Sequence, residues 1–181
     1  ALAWFVYPSG TIVNFGDSDS RKMTSSASAA GRKWTRPLMQ SVASAGATGG
    51  ARPAGLKTFD ASGYAIVRQP SPHKPDDHAE DSYLALAAAF HSRTHKHADD
   101  LGFVWYDRGQ PVLVDSGRYG YIGKTVQGSD LWLEGHWYSD PMRVYMESTR
   151  AHNTLEFDGR NFPRKGAKPY GSGIGQSVEE D

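Results

Sequence analysis

The stretch Leu101-Gly102-Phe103-Val104-Trp105-Tyr106-Asp107-Arg108-Gly109-Gln110-Pro111-Val112-Leu113-Val114-Asp115 carries the clearest β-hairpin pattern in the sequence. Residues 101–106 and 111–115 are rich in aromatic and β-branched side chains, which favour extended strands. The segment between them is polar and ends in glycine, as hairpin turns often do. The sequence therefore predicts two antiparallel strands joined by a tight turn.

Strand patterns recur on both sides of this hairpin. Residues 56–59 and 64–68, separated by a turn at 60–63, predict a second hairpin. Further strands are predicted over residues 82–90, 142–149 and 153–157. The long aromatic loop predicted at 117–141 is of a length that is often functional in compact domains. Regularly spaced strands with turn signals predict a mainly β fold, an antiparallel β-sandwich.

The N-terminal third has a different composition, which predicts a domain boundary near residue 55. Residues 38–45 predict a short helix, and Gly46 to Gly55 forms a glycine- and alanine-rich linker. We therefore separate residues 1–55 from a sandwich domain at residues 56–181. The chain has neither an initiator methionine nor a signal peptide. We expect it to be a fragment of a larger protein, with a sandwich that is incomplete at the C-terminus.

The composition excludes several classes of protein. Twenty basic and twenty acidic residues give a formal net charge of zero, so no overall field attracts nucleic acid or an anionic membrane. No apolar run approaches the roughly 20 residues needed to span a bilayer, so we expect no membrane insertion. Cysteine is absent, which leaves nitrogen and oxygen as the ligands for any metal.

Three histidines and an aspartate are the candidate site residues. His95 and His97 form a His-x-His pair, which a strand would place on one face. Asp115 ends an apolar strand, where an unpaired carboxylate is costly to bury, and His152 lies between two predicted strands. This set suits zinc with one coordination position left for water. The alternative is a group of surface histidines and a turn aspartate, and spacing alone favours neither.

Three motifs around these residues resemble the heparinase II/III family of polysaccharide lyases, which includes several alginate lyases. The motifs are residues 95–99 (His-Lys-His-Ala-Asp), 109–121 (Gly-Gln-Pro-Val-Leu-Val-Asp-Ser-Gly-Arg-Tyr-Gly-Tyr) and 150–155 (Arg-Ala-His-Asn-Thr-Leu). The resemblance covers residues 58–159 and implies a sandwich preceded by a helical α/α toroid. Residues 4–19 resemble more weakly the end of that toroid, so residues 1–55 would be the toroid's end plus a linker.

The resemblance also implies roles for individual residues. In this family a metal, usually zinc, is bound at positions that correspond to His97, Asp115 and His152. The position of His95 faces the substrate cleft. Lys96 departs from the family, in which a small residue is common there. Tyr138 resembles a sandwich tyrosine that reaches the sugar in some alginate lyases.

Enzymes of this family cleave uronic-acid polysaccharides by β-elimination. The substrate carboxylate is neutralised, the C5 proton is removed and the C4 oxygen is protonated as it leaves. Histidine and tyrosine suit the proton transfers, so we predict catalytic roles for His95 and Tyr138. Guanidinium groups bind carboxylates bidentately, which makes three arginines candidates for substrate binding: Arg93, Arg118 and Arg150. Most other catalytic groups of the family lie on the toroid, so we expect the isolated 181 residues to be inactive.

The expected partner is therefore an acidic, uronate-containing polysaccharide, with Zn²⁺ as cofactor and without nucleic acid. A homodimer of the larger protein and a periplasmic or secreted bacterial location are further expectations. Two alternatives stay open: a non-catalytic, metal-stabilised carbohydrate-binding sandwich and a cupin-like metalloenzyme. In cupins both histidines of a His-x-His pair bind the metal, so the partners of His95 distinguish that alternative.

Overall fold

The computed structural model describes residues 1–23, 36–90, 95–166, 170–176 and 178. The strands are β1 (Gly55–Phe59), β2 (Tyr64–Gln69), β3 (Ser82–Ala87), β4 (Ala89–Phe90), β5 (Gly102–Asp107), β6 (Gln110–Leu113) and β7 (Gly171–Ser172). The α-helices are α1 (Pro37–Ala43), α2 (Asp130–Glu134) and α3 (Pro141–Met146). Short 3₁₀ helices lie at Leu2–Phe5, Asp60–Ser62, His78–Glu80 and Thr149–Ala151. None of the helices in these ranges is long and apolar enough to cross a membrane.

The strands form an antiparallel five-stranded sheet in the order β1-β2-β3-β5-β6 and a two-stranded sheet of β4 and β7. Both predicted hairpins and the predicted strand at 82–90 are confirmed, as is the short helix after the N-terminal segment. The turn between β1 and β2 depends on Gly63, whose φ is 73°. A Cβ there would lie 2.3 Å from the Ala88 carbonyl oxygen, so this turn accepts only glycine.

One face of the large sheet is covered by the N-terminal segment. Ile66, Ala85 and Val104 face each other across β2, β3 and β5 and are fully buried. Tyr7 and Val13 of the N-terminal segment pack into the same core cluster. The Tyr83 hydroxyl donates to the Trp4 carbonyl oxygen at 2.9 Å, and Arg68 donates to that of Val6. The first 15 residues thus form the second layer of the core, which brings the residues after them to the edge of the sheet.

The opposite face of the sheet carries an apolar ladder across all five strands. Its side chains are Leu56, Val67, Leu84, Trp105 and Leu113, in direct register. Side chains alternate between faces of a strand, so the ladder lies opposite the core, and Val67, Leu84 and Trp105 are exposed. Trp105 belongs to this surface.

Two predicted strands are wrong. Residues 142–149 contain helix α3, and residues 153–157 contain only the isolated bridge residue Phe157. The Asp140 carboxylate accepts hydrogen bonds from the backbone N–H groups of Met142 and Arg143, and Pro141 occupies the first turn. An N-cap aspartate followed by proline starts a helix whatever the apolar spacing that follows. In the predicted loop 117–141, α2 begins in the same way at Ser129.

Candidate active site

Three separate segments line a cleft of about 600 Å³. They are the first residue of the histidine pair, the long loop between β6 and α3, and α3 with the residue that follows it. The lining residues are His95, Tyr121, Gly123, Lys124, Trp137, Tyr138, Arg143 and Glu147. Both predicted catalytic residues, His95 and Tyr138, therefore line one cleft.

His95 is not on a strand, contrary to the prediction for the His-x-His pair. Its φ is 61°, in the left-handed region that only a few per cent of residues other than glycine adopt, with histidine among the enriched types. The side chain is 57% exposed towards the cleft, whereas that of His97 is fully buried. The two imidazoles have different partners, an arrangement that differs from the shared coordination of a cupin.

Asp17 contacts three of the residues that line the cleft. Its carboxylate contacts His95 Nδ1, accepts from the Tyr121 hydroxyl at 2.8 Å and pairs with Arg143 Nη1 at 2.6 Å. Burial opposes ionisation of this carboxyl, but hydrogen bonds from Arg143, His95 and Tyr121 lower its pKa to about 2. The group is therefore a carboxylate at neutral pH, and it is only 2% exposed.

Tyr121 connects Asp17 to the aromatic wall of the cleft. Its ring lies 5.2 Å from that of Tyr138 at an interplanar angle of 37°, a geometry typical of offset aromatic pairs. The guanidinium of Arg143 lies 4.9 Å from the Tyr121 ring centroid on a cation–π contact. Tyr121 is thus held by its neighbours, with its hydroxyl 3.2 Å from His95 Nδ1, while Tyr138 lines the same cleft.

The predicted metal ligands lie together beside the cleft, as a chain. His97 Nδ1 is 3.2 Å from His152 Nε2, and His152 Nδ1 is 2.8 Å from Asp115 Oδ2. All three residues are buried. Burial lowers the pKa of His97 to about 4. Burial lowers the pKa of His152, but the hydrogen bond that its ring donates to the Asp115 carboxylate outweighs this effect and raises the pKa.

The imidazole pair fits a shared zinc ion. Zn–N bonds of about 2.0–2.1 Å in a tetrahedral shell place two ligand nitrogens about 3.3 Å apart, close to the observed separation. His97 Nε2 lacks a hydrogen-bond partner among the described residues, although Asp17 Oδ1 lies 3.6 Å away. Asp115 lies on the far side of His152, where a carboxylate orients the ring. Within the described ranges, no three His, Asp or Glu side chains surround one point.

Backbone hydrogen bonds tie the loops of this cluster to one another. Ala98 N–H donates to the Glu147 carbonyl oxygen at 2.9 Å, and the Thr149 hydroxyl donates to the Ala98 carbonyl oxygen at 2.8 Å. These bonds fasten the segment that follows His97 to the segment that precedes His152. These two bonds therefore help to hold the two imidazoles beside each other.

A buried network of charged side chains is centred on Glu147, which also lines the cleft. Glu147, at the end of α3, pairs with Arg143 at 2.8 Å and with Arg164 at 2.9 Å, and it accepts from His136 Nδ1 at 2.6 Å. Each of the four side chains is at most 5% exposed. Burial opposes its ionisation, but the His136 hydrogen bond and the two guanidinium groups lower the pKa of Glu147. His136, which has no predicted role, is therefore a structural residue.

The predicted substrate-binding arginines have different surroundings. Arg118 pairs with Asp19 at 2.8 Å and lies 5.6 Å from the Tyr121 ring centroid, close to the cleft. Arg150 is exposed, pairs with Glu156 and does not line the cleft. Arg93 lies outside the described residues. Lys96 pairs with Asp99 at 2.7 Å, outside the set of cleft-lining residues.

Sequence reasoning missed four residues of this site: Asp17, Tyr121, Arg143 and Glu147. A signal existed for the last two. Asp140-Pro141 predicts a helix start, and on a helix Arg143 and Glu147, four positions apart, lie on one face. Tyr121 ends the second sequence motif, but the motif gave it no role of its own. Asp17 has no local signal, because it reaches His95 across 78 positions of chain.

Comparisons with known proteins give one family and a set of similar folds. A family model described as heparinase II/III-like, C-terminal, matches residues 51–177. A heparinase III structure shares 21% sequence identity with this chain at a TM-score of 0.63. The match covers 88% of this chain and 25% of the heparinase III chain. Heparan sulfate lyase HepC from Pedobacter heparinus shares 21% sequence identity at a TM-score of 0.59. That match covers 87% of this chain and 22% of the HepC chain. A search of curated proteins gives no match.

These findings confirm the predicted mainly β sandwich fold. The chain spans about a quarter of the length of those structures or slightly less. Because the family model matches well over half of the chain, this protein belongs to the heparinase II/III-like family and contains its C-terminal region.

Proposed function

We propose that this chain forms one wall of the active cleft of a polysaccharide lyase that cleaves uronate-containing polysaccharide by β-elimination. The observation that carries the proposal is the position of His95. Its imidazole is held by a buried carboxylate and exposed in a cleft that also contains Tyr121 and Tyr138. Histidine and tyrosine can accept and donate the protons that elimination moves.

In the proposed reaction His95 and Tyr138 each have a role. Loss of the C5 proton and cleavage of the C4–O bond form a C4–C5 double bond, and the departing oxygen takes up a proton. In our proposal the His95 Nε2 atom contacts the reacting uronate, and the Tyr138 hydroxyl transfers a proton. The exposed Lys124 adds a positive charge along the same cleft, which favours an acidic substrate.

The substrate class is proposed from both chemistry and likeness. Lyases for heparan sulfate share the fold, and heparan sulfate is an acidic polysaccharide that contains uronate. It is therefore the first polymer to test, followed by alginate and hyaluronan. Because such polymers are too large to enter a cell intact, we place the protein in the periplasm or outside the cell.

We also propose that Zn²⁺ is bound by His97, Asp115 and His152. The support is the 3.2 Å separation of His97 Nδ1 and His152 Nε2 and the burial of all three side chains. The ion would tie three segments of the sandwich together. Asp115 would contribute through the ring of His152 or as a ligand itself.

The test of the proposed function is the change His95→Ala in the intact protein. We expect turnover of the preferred polysaccharide to fall at least about tenfold, the low end for one acid–base group. Turnover is followed by the ultraviolet absorbance of the unsaturated product. Metal content and melting temperature should stay unchanged, because the His95 side chain is exposed.

The matched control is His73→Ala, which removes an exposed histidine from the loop between β2 and β3. Equal turnover in the two variants would contradict the role of His95. Binding of the polysaccharide by the unchanged protein, without any unsaturated product, would instead support a carbohydrate-binding module.

Residues 1–181 alone should show no measurable turnover on the same three polymers. Elimination requires carboxylate neutralisation, a base and a leaving-group acid held in one geometry, and the rate advantage is lost when part of the set is missing. The chain covers at most 25% of the solved lyases to which we compare it. Clear turnover by these residues would show that they hold the complete catalytic set.

A further inference from the structure

Asp17 is a buried carboxylate that contacts three cleft-lining side chains. It lies in the N-terminal segment, outside residues 51–177 that the family model matches. Its side chain is 2% exposed, and both oxygens are occupied. Oδ1 pairs with Arg143 Nη1 at 2.6 Å, while Oδ2 contacts His95 Nδ1 and accepts from the Tyr121 hydroxyl at 2.8 Å.

The contact with Asp17 involves one of the two ring nitrogens of His95, Nδ1. A carboxylate oxygen accepts hydrogen bonds, so His95 Nδ1 carries the proton that it donates to Asp17. The other ring nitrogen, Nε2, is then the atom available to a substrate in the cleft. A carboxylate that holds a histidine by one ring nitrogen fixes both the tautomer and the orientation of the ring.

Two features hold Asp17 itself in place. The Arg143 guanidinium that pairs with it is buried and is anchored in turn by Glu147 at 2.8 Å. Gly16, with φ of 53°, lies so close to Asp99 that a Cβ would come within 2.7 Å of its carboxylate oxygen. The backbone before Asp17 is therefore packed tightly against the segment that follows His97.

The backbone conformation of His95 is a second, independent reason to expect that neighbouring residues hold this histidine in place. A histidine at φ of 61° occupies a sparsely populated conformation, and such residues persist where the surroundings hold them, often at functional sites. The side chain is largely exposed, so packing alone does not fix the ring. Among the residues that the structure describes, Asp17 and Tyr121 contact the ring.

We propose that Asp17 is a positioning residue of the cleft, which holds His95 in the Nδ1-protonated tautomer and aims its Nε2 atom at the substrate. The inference rests on the proposed lyase function for its kinetic consequences. Its structural content, the tautomer of His95, stands apart from any activity. The competing view is that Asp17 serves only as the buried counter-ion of Arg143.

The kinetic test compares Asp17→Asn and Asp17→Ala in the intact protein. We expect kcat on the preferred polysaccharide to fall about tenfold to a hundredfold, as when other histidine-orienting carboxylates are removed, with KM changed less than about threefold. A thermal melt and a metal analysis of each variant show whether the fold and any bound metal are retained. The matched control is Asp60→Asn, an exposed aspartate at the β1–β2 turn, which should keep full kcat.

A double-mutant cycle separates positioning from structural support. If Asp17 acts through His95, adding Asp17→Asn to His95→Ala should lower kcat less than twofold further. If Asp17 were only a counter-ion of Arg143 that stabilises the structure, Asp17→Asn would lower kcat by the same factor with and without His95. That result would overturn the proposal.

A spectroscopic arm decides the question without substrate. In the intact protein, with isotope-labelled imidazole nitrogens, the His95 signals are identified by their loss in His95→Ala. At a pH where the ring is neutral, they should report a proton on Nδ1, and Asp17→Ala should shift that proton population towards Nε2. An unchanged pattern in Asp17→Ala would overturn the proposal. A shifted pattern in a protein without lyase turnover would uphold it and reject the proposed function instead.

Discussion

Changing Glu147 to glutamine should lower the free energy of unfolding by about 3–5 kcal/mol, the usual cost of removing one partner from a buried ion pair. Glu147 is 1% exposed, and its carboxylate meets two guanidinium groups and an imidazole within 2.9 Å. Glutamine keeps the shape of the side chain but leaves the positive charges of Arg143 and Arg164 without a buried counter-charge. The measurement is unfolding in denaturant, monitored by circular dichroism.

The matched control for this prediction is Glu80→Gln. Glu80 also forms a salt bridge, with Lys74 at 3.0 Å, but that pair is at the surface. Exposed pairs contribute at most about 1 kcal/mol, so this variant should unfold almost like the unchanged protein. Equal losses in the two variants would show that the buried network adds nothing beyond a surface ion pair.

The same network predicts how stability changes with acid. The folded-state pKa of Glu147 lies below its ordinary value of 4.5, so the unfolded chain takes up a proton more readily than the folded one. The stabilisation is therefore fully present above pH 4.5 and is lost as the pH falls through the lower folded value. Below pH 4.5, the unchanged protein should lose stability more steeply than Glu147→Gln. Parallel curves would contradict this assignment.

The sheet could be predicted from the sequence because its signals are local. The β1–β2 and β5–β6 hairpins each combine β-branched or aromatic runs with a turn that ends in glycine, and both form as predicted. The strand predicted at 142–149 failed for an equally local reason. The cap at Asp140-Pro141 fixes the first turn of α3, and a period-two reading of the residues after it ignored that cap.

The site was predicted only in part, because its geometry depends on long-range packing. Residues with distinctive chemistry, such as His95 and His152, could be selected by type and by resemblance. Asp17 could not, since an aspartate in a polar segment is ordinary until the core places it beside His95. That placement follows from the N-terminal segment that covers the sheet, where Tyr7 and Val13 join the buried cluster.

Changing His97 or His152 to alanine should abolish zinc binding in the intact protein and lower its melting temperature by on the order of 10 °C. A ligand present at a thousand times its dissociation constant stabilises a protein by about 4 kcal/mol, and about 1 kcal/mol shifts the melting temperature of a domain this size by about 2–4 °C. Asp115→Asn should weaken zinc binding at least about tenfold, since its carboxylate holds the ring of His152. Elemental analysis and thermal melts measure both effects.

Metal removal gives the decisive control for the zinc site. A chelator should lower the melting temperature of the unchanged protein towards that of His97→Ala, while His97→Ala itself should hardly respond. The difference between the two proteins would then arise from the ion rather than from the loss of a buried side chain. His73→Ala should keep stoichiometric zinc.

Full retention of zinc in the His97, Asp115 and His152 variants, or a melting temperature unaffected by chelation, would rule out a stabilising zinc ion here. The 3.2 Å approach of the two imidazoles would then be a hydrogen bond between one protonated and one unprotonated ring nitrogen.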